Sequence, residues 1–226
     1  MNNSFKDFKK FAQSMGVSGT SVDKYFDNII NPYIVEERVG NPLQIDIFSK
    51  LFTDRILFLG CEIDSHVANV ITSQLLYLES INPKKEINLY INSPGGVIYD
   101  GLAIYDVMQY ISSPIHTTCM GLAASMASIL LCGGENGHRT ALKHSRVMIH
   151  QPLGGLRAGT QASDFEIANK EIQELKTDLY AIMSQHTGKS IEEITLAADR
   201  DRWLRPNEAK DFGLIDNIVE KKTLVG

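Results

Sequence analysis

Cysteine is scarce in this sequence of 226 residues, and its three copies show no pairing pattern. Cys61, Cys119 and Cys132 are odd in number and have no C-x-x-C spacing, which excludes a disulfide-rich scaffold and argues against a zinc site. Each of them lies in or beside an apolar segment. We therefore expect three buried, reduced thiols in a cytoplasmic protein that holds no metal.

Positive charge and long apolar runs are also in short supply. The 22 Lys and Arg residues are outnumbered by 27 Asp and Glu residues, so no global basic field favours nucleic acid or an anionic membrane as a partner. The longest apolar runs, such as the one near 121–132, are shorter than the roughly 20 residues that cross a bilayer. No apolar segment flanked by Lys or Arg opens the sequence, and we expect no secretory signal.

Residues 1–28 differ in composition from the rest of the sequence. They are polar and interrupted by Ser and Gly, with one short amphipathic turn predicted around Phe5, Phe8 and Phe11. We expect this part to be a mobile or removable extension. The predicted organisation is an extension over 1–32, an ordered domain over 33–220 and a tail over 221–226.

Predicted strands and helices alternate through the middle of the chain, which favours an α/β fold with a largely parallel sheet. The strands are predicted over 55–60, 86–93, 114–120 and 145–150, and the helices over 66–81, 97–111 and 124–132. A long helix over 165–188 follows, with Gly188 as its cap and a broad apolar stripe that indicates an interface. The last segment, 191–216, is predicted as a helix, an acidic turn, a helix and a strand.

Residue types with catalytic potential occur at the ends of these elements. Ser125 lies where a strand gives way to a helix, His150 ends the strand over 145–150, and Asp199 and Asp201 lie in the acidic turn. Ligands collect at the carboxyl ends of parallel strands. Serine becomes a nucleophile when a histidine takes its proton and an acid orients that histidine. The pattern predicts a serine hydrolase, with either aspartate as the acid.

Backbone N–H groups for an oxyanion are available beside this serine. The turn after the strand over 86–93 carries Gly95 and Gly96, and small residues surround Ser125. We predict that the N–H groups of Gly96 and Met126 form the oxyanion hole.

Each of these residues alone has a simpler explanation. A serine among alanines permits close packing, a histidine at a strand end is often structural, and an acidic turn is often just solvated. The G-x-S-x-G motif is also absent, since Ala123 and Ala127 take the glycine positions.

Four ordered segments resemble the proteolytic subunits of Clp proteases, the ClpP family: YINSPGGVIYDGLAIYDVMQYI, CMGLAASMASILLCGG, SRVMIHQPLGG and DRDRWLRPNEAKDFGLID. The resemblance runs from about residue 33 to about residue 220. It implies that Ser125 is the nucleophile and His150 the general base. The family's acid stands directly before an Arg-aromatic pair, which selects Asp201. The family's oxyanion donors fall on Gly96 and Met126.

The resemblance also implies roles outside the catalytic centre. Asp199 and Arg200 match a charge pair between stacked rings. Tyr90 and Tyr110 match aromatic residues near the docking pocket for an unfoldase, and Asn88 replaces an aromatic residue that the family often has.

The fold that the resemblance implies is a crotonase-like ββα superhelix with a protruding strand–helix handle over about 151–188. The implied assembly is a homo-oligomer of two stacked heptameric rings, and a hexameric AAA+ unfoldase feeds unfolded proteins into its chamber. The implied activity is that of a serine endopeptidase, with a propeptide that ends near residues 29–33. We expect no cofactor, because the sequence has no nucleotide-binding loop and ATP would be used by the partner.

Three alternatives are weaker. A crotonase acting on acyl-CoA thioesters needs a catalytic carboxylate and basic groups for the CoA phosphates, which this acidic chain does not group together. A ring subunit without activity would be expected to lack one member of the Ser–His–Asp set. A Ser–Lys dyad is disfavoured because His150 is present.

Overall fold

The computed structural model describes residues 4–20, 33–36, 43–154 and 161–220. The helices of these ranges are α1 (Ser4–Ser14), α2 (Ile47–Thr53), α3 (Ser65–Ile81), α4 (Ile98–Tyr110), α5 (Met126–Cys132), α6 (Ala162–Thr187), α7 (Ile191–Ala197) and α8 (Pro206–Phe212). The strands are β1 (Tyr33–Glu36), β2 (Leu43–Asp46), β3 (Ile56–Leu59), β4 (Ile87–Ser93), β5 (Ile115–Ala124), β6 (Arg139–Leu142), β7 (Arg146–Ile149), β8 (Arg202–Leu204) and β9 (Asn217–Val219).

Seven of the described strands form one sheet, and β1 and β2 form a separate antiparallel pair. The sheet runs β3–β4–β5–β6–β9, with β7 added beside β5 and β8 beside β7. Every pairing in it is parallel except β7 with β8. The predicted α/β fold with a largely parallel sheet is confirmed.

Strand β5 divides its partners between its two halves. Thr117–Cys119 pair with β6, whereas Leu122–Ala124 pair with β7. The strand therefore continues past residue 120, where the sequence pattern predicted its end, and reaches the residue before Ser125. It passes through Gly121, whose φ of 86° is open to glycine but strained for other residues. The Asn92 side chain accepts the Leu122 N–H over 3.1 Å beside this irregularity.

The core lies between the sheet and the helices α3, α4 and α5. Alternate residues of β3 and β4 point into it, and α5 is buried along its whole length. Each fully buried aliphatic side chain of this kind contributes about 1.5–3 kcal/mol through removal of its surface from water. The largest fully buried side chains are Leu57, Leu59, Ile63, Ile71, Leu75, Ile87, Leu89, Ile91, Ile104, Leu130 and Leu131.

Four short strands and the helix α2 were not predicted. Strands β1, β2 and β6 have four residues each and β8 has three, which is too short for an alternating pattern to stand out. Strand β8 replaces part of the acidic segment that was predicted as a turn followed directly by a helix. The prediction that all three thiols are buried is wrong for Cys61, which is exposed in the loop between β3 and α3.

The long helix α6 ends as predicted, with Gly188 in the left-handed conformation at φ 72°. Its C-terminal half packs on the domain through Leu175, Leu179 and Met183, whereas Ile167 near its start is exposed. Residues 155–160 of the predicted handle lie outside the described residues, and its strand stays a prediction. Whether the exposed half of α6 is an interface stays a prediction.

The N-terminal residues contain more structure than the single turn that was predicted. Helix α1 has eleven residues and packs against the domain. Its Ala12 is buried, and so is Val17, which follows the helix. The limits of the extension, the ordered domain and the tail stay predictions. None of the helices in the described ranges combines the length and the apolar character that crossing a membrane requires.

Candidate active site

Ser125 stands at a sharp turn between β5 and α5. Its φ of 53° and ψ of −126° place a non-glycine residue at positive φ, a conformation that costs on the order of 1–3 kcal/mol and is often found at functional sites. Two sets of hydrogen bonds hold the turn. Ser125 N–H donates to the Met148 carbonyl over 2.9 Å, and the Ser125 carbonyl accepts from Ser128 N–H and Ser128 Oγ.

His150 follows the last residue of β7 and bridges Ser125 and Asp201. Its Nε2 lies 2.8 Å from Ser125 Oγ, and its Nδ1 lies 3.1 Å from Asp201 Oδ1. The register of the antiparallel pair explains this meeting, because Ile149 of β7 lies opposite Arg202 of β8. The next residue beyond Ile149 and the residue before Arg202 are therefore brought side by side.

This arrangement suits proton transfer from the serine. When Nδ1–H donates to the Asp201 carboxylate, Nε2 keeps a lone pair that accepts the hydrogen bond of the Ser125 hydroxyl. The His150 side chain is only 11% exposed, which shields the Nε2–Oγ contact from water, while the Asp201 side chain is 61% exposed. Ser125, His150 and Asp201 are therefore placed to act together as nucleophile, base and orienting acid.

Asp199 does not share this contact with His150. Its Oδ2 lies 4.0 Å from Arg200 Nε, and both side chains are exposed. The Asp199 carbonyl accepts from Gln151 Nε2 over 2.8 Å. Residue types alone left the choice between the two aspartates open and the resemblance selected Asp201, which is the one beside His150.

The glycine turn after β4 lies against the start of α5. Gly95 has a φ of 94°, and a Cβ on it would lie 2.9 Å from Met126 N. The turn is fixed to the loop before α3, because Ile63 N–H donates to Gly95 O over 2.8 Å and Val97 N–H to Ile63 O over 2.9 Å. No hydrogen bond within the described residues uses the N–H of Gly96 or of Met126. Both N–H groups are thus available beside Ser125.

A cavity of about 360 Å³ opens next to Ser125 and His150, and Gly96 and Met126 line it. Most of its remaining wall is apolar, with Glu62 as its one carboxylate among the described residues. Apolar walls with a few polar groups suit a substrate side chain held beside a reactive centre. The apolar side chains of the wall include Ile98, Ile129, Met148, Leu153, Leu179 and Met183.

The remaining predicted site residues lie away from this cavity. Tyr90 is half-buried on β4 and stacks on Phe58, with ring centroids 5.4 Å apart. Tyr110 ends α4 and is 82% exposed. Their docking role, like the ring-pairing role of Asp199 and Arg200, stays a prediction. Within the residues that the structure describes, no three His, Cys, Asp or Glu side chains gather so as to hold a metal ion.

Gln151 is a site residue that the sequence analysis missed. Its N–H donates to Ala198 O over 2.6 Å, and its amide joins the Asp199 carbonyl to Lys176 Nζ of α6. It therefore fixes the loop that carries Asp201 to the strand end that carries His150. The only signal in the sequence was that Gln151 directly follows the candidate base His150. A glutamine is not a typical catalytic residue, so its type gave no reason to select it.

The sequence model of one protein family, described as Clp protease, matches residues 39–222. The chain belongs to the Clp protease family. Proteins named ATP-dependent Clp protease proteolytic subunit are similar over most of its length. One from Bacteroides fragilis (strain YCH46) is 51% identical over 96% of this chain and 99% of its own length. One from Porphyromonas gingivalis (strain W83) is 52% identical over 95% of this chain and 98% of its own length.

A third bacterium also has a Clp relative. A protein of Salinibacter ruber named ATP-dependent Clp protease proteolytic subunit 1 is 52% identical over 85% of this chain and 82% of its own length. The resemblance stated from the four sequence segments is thereby confirmed at the level of the Clp protease family and its fold.

Replacing Gly96 with alanine is expected to reduce peptide turnover by on the order of 10²–10³-fold, the loss typical of one oxyanion donor. Gly96 has a φ of 154°, and a Cβ on it would lie 2.1 Å from Ile63 O, so the turn must shift and its N–H is displaced relative to Ser125. The measurement is kcat on a short fluorogenic peptide. Gly60→Ala is the matched control, because a Cβ there meets nothing within 4 Å. Wild-type kcat in Gly96→Ala would contradict the assignment of the Gly96 N–H to the oxyanion hole.

Proposed function

We propose that this chain is the serine endopeptidase subunit of an ATP-dependent Clp protease, with Ser125, His150 and Asp201 as its catalytic residues. The observation that carries the proposal is the continuous contact from Ser125 Oγ through His150 to Asp201 Oδ1, beside a cavity and two available N–H groups. The family membership supports the same reaction class.

The reaction follows from these positions. His150 Nε2 takes the Ser125 hydroxyl proton while Oγ bonds to the scissile carbonyl carbon, and the N–H groups of Gly96 and Met126 bind the resulting oxyanion. The tetrahedral intermediate then breaks its C–N bond, and the amine leaves with the proton from His150. Water, deprotonated by His150, attacks the acyl-enzyme, and the proton returns to Ser125 as the carboxylic acid leaves.

The proposed substrates are unfolded proteins, which are cut to short peptides. The largely apolar wall of the cavity supports an apolar substrate side chain next to the scissile bond. An extended chain without structure of its own is the form of substrate that reaches a serine held in such a cavity.

The proposed assembly is a homo-oligomer of two stacked heptameric rings in the cytoplasm, served by a hexameric AAA+ unfoldase. The names of the relatives support the dependence on ATP. The sequence itself has no G-x-x-x-x-G-K-[ST] loop, so ATP use is assigned to the unfoldase and no cofactor to this chain. Tyr90 and Tyr110 are proposed to lie at the docking surface for the unfoldase.

The direct test of the proposed function is labelling with a fluorophosphonate. The reagent needs an activated serine, so the proposal requires one modified residue, Ser125, located by mass spectrometry of the digested protein. Labelling together with turnover of a fluorogenic peptide would support the endopeptidase. A chain that assembles into rings but takes no label at Ser125 would instead favour the inactive ring subunit.

Replacing Arg200 with alanine is expected to weaken ring stacking and peptide turnover together, each severalfold. The Arg200 side chain is 88% exposed and lies near Asp199 in the loop that also carries Asp201. Loss of a contact between the rings would therefore disturb the position of Asp201 beside His150. The measurements are native mass spectrometry and peptide turnover on one preparation. Lys210→Ala, which removes an exposed positive charge from α8, is the control. Intact double rings with normal turnover would contradict the proposed coupling.

A further inference from the structure

Two groups of contacting aromatic rings, linked through helix α2, extend from the N-terminal helix α1 to Tyr90. Phe11 of α1 lies 5.3 Å from Tyr77 of α3, and Tyr77 stacks on Phe52 of α2 at 5.7 Å, both measured between ring centroids. Phe48 lies one helical turn before Phe52 on α2. It meets Phe58 edge to face at 6.0 Å, and Phe58 stacks on Tyr90 at 5.4 Å. We call this set the aromatic row: Phe11, Tyr77, Phe52, Phe48, Phe58 and Tyr90.

Helix α1 packs over one end of this aromatic row, as a bound peptide would. It packs on α2 and α3, and its Ala12 is fully buried, while Lys10 on its other side is exposed. The chain then turns back through Gly16 at φ 85°, which allows Val17 N–H to reach the Ala12 carbonyl and Val17 to be buried as well. An amphipathic helix on an apolar groove is a recurring mode of peptide recognition.

The rest of the row stays partly open while α1 is in place. Phe48, Phe58, Tyr77 and Tyr90 are all half-buried, not fully covered. Phe58 and Tyr90 stand on the same face of neighbouring parallel strands, where Phe58 lies opposite Tyr90 in register. Departure of α1 would therefore join the surface around Tyr77 to an apolar surface that is already accessible at Tyr90.

We propose that α1 masks one end of the unfoldase-docking surface in the full-length chain, and that an apolar peptide segment of the unfoldase binds there when α1 is displaced. This inference rests on the proposed docking role of Tyr90. Covalent attachment favours α1, since a segment of the same chain competes at an effective concentration on the order of millimolar. The unfoldase therefore binds weakly until α1 is loosened or lost.

The first test uses a fluorescein-labelled peptide with the sequence of residues 1–20 as the probe, added to the full-length protein. In wild type the tethered helix excludes it. Phe11→Ser removes the ring contact with Tyr77, and we expect the probe to bind this variant at least about tenfold more tightly than wild type. Lys10→Ser, a change on the exposed side of α1, is the matched control and should bind like wild type. Equal binding to all three proteins would overturn the proposal.

A second variant checks where the probe binds. Adding Tyr77→Ser to Phe11→Ser should abolish probe binding, because Tyr77 is the ring that α1 contacts. Thermal unfolding followed by circular dichroism shows whether the double variant is folded. Retained binding in a folded double variant would place the peptide elsewhere and overturn the proposal.

The last test measures protein degradation in the presence of the unfoldase. With ATP and an AAA+ unfoldase of the same organism, Phe11→Ser should degrade unfolded casein severalfold faster than wild type and Lys10→Ser. All three should cut a short fluorogenic peptide equally fast, since that reaction needs no docking. Unchanged casein degradation would overturn the inference. Failure of all three to cut the peptide would count against the proposed function, while probe binding would still report on α1.

Discussion

Replacing Ser125 with alanine is expected to lower turnover of a short fluorogenic peptide by on the order of 10⁵–10⁶-fold, because the members of such a catalytic set act as a unit. Without Oγ, His150 Nε2 has no hydroxyl to deprotonate at 2.8 Å and no acyl-enzyme can form. The substitution removes one oxygen at a turn that is held by backbone groups, so the fold should be retained. The measurement is kcat/KM for the peptide, beside the extent of fluorophosphonate labelling.

The control for this experiment is Ser80→Ala. Ser80 is exposed near the end of α3, and its hydroxyl bonds only to the Tyr77 carbonyl of its own helix among the described contacts. Wild-type turnover and labelling are expected there. If Ser125→Ala kept more than about one per cent of wild-type turnover after correction for contaminating protease, another nucleophile would be at work and the assignment of Ser125 would be wrong.

Much of the framework around this serine could be predicted from the sequence. Apolar residues at helical spacing predicted α3 and α4 to within a residue or two of their ends, and short apolar runs predicted β3 and β4. These elements are buried on the face that their pattern indicates, so local pattern and tertiary packing agree. The junction at Ser125 was predicted for the same reason, since it lies between two such elements.

Other features depend on tertiary register, which a local pattern does not contain. Asp199 and Asp201 have the same chemistry and lie two residues apart, and only the pairing of Ile149 with Arg202 brings one of them to His150. Strand β5 continues past Gly121 because its second half pairs with β7, and the Asn92 side chain accepts the Leu122 N–H beside this irregularity. Cys61 is exposed because it lies in the loop after β3, beyond the buried strand that its apolar neighbours form.

Replacing Asp201 with asparagine is expected to lower peptide turnover by on the order of 10³–10⁴-fold. An asparagine keeps the size of the side chain, but its amide can turn an N–H toward His150 Nδ1, now 3.1 Å from the carboxylate oxygen. That contact would favour the tautomer with the proton on Nε2, which cannot accept the proton of Ser125. It would also leave the imidazolium of the intermediate without its counter-charge. The measurement is kcat for the peptide at several pH values.

Two aspartate variants make the interpretation of Asp201→Asn specific. Asp211→Asn removes an exposed carboxylate from α8 and should turn over the peptide like wild type. Asp199→Asn is expected to lower turnover only as far as it lowers the fraction of protein in double rings. The double rings that still form should have wild-type turnover. Because Asp199 and Asp201 share one loop, a general disturbance of that loop would affect both variants alike. The opposite ranking, with Asp199→Asn inactive in intact double rings and Asp201→Asn active, would move the acid to Asp199 and contradict the contact at His150.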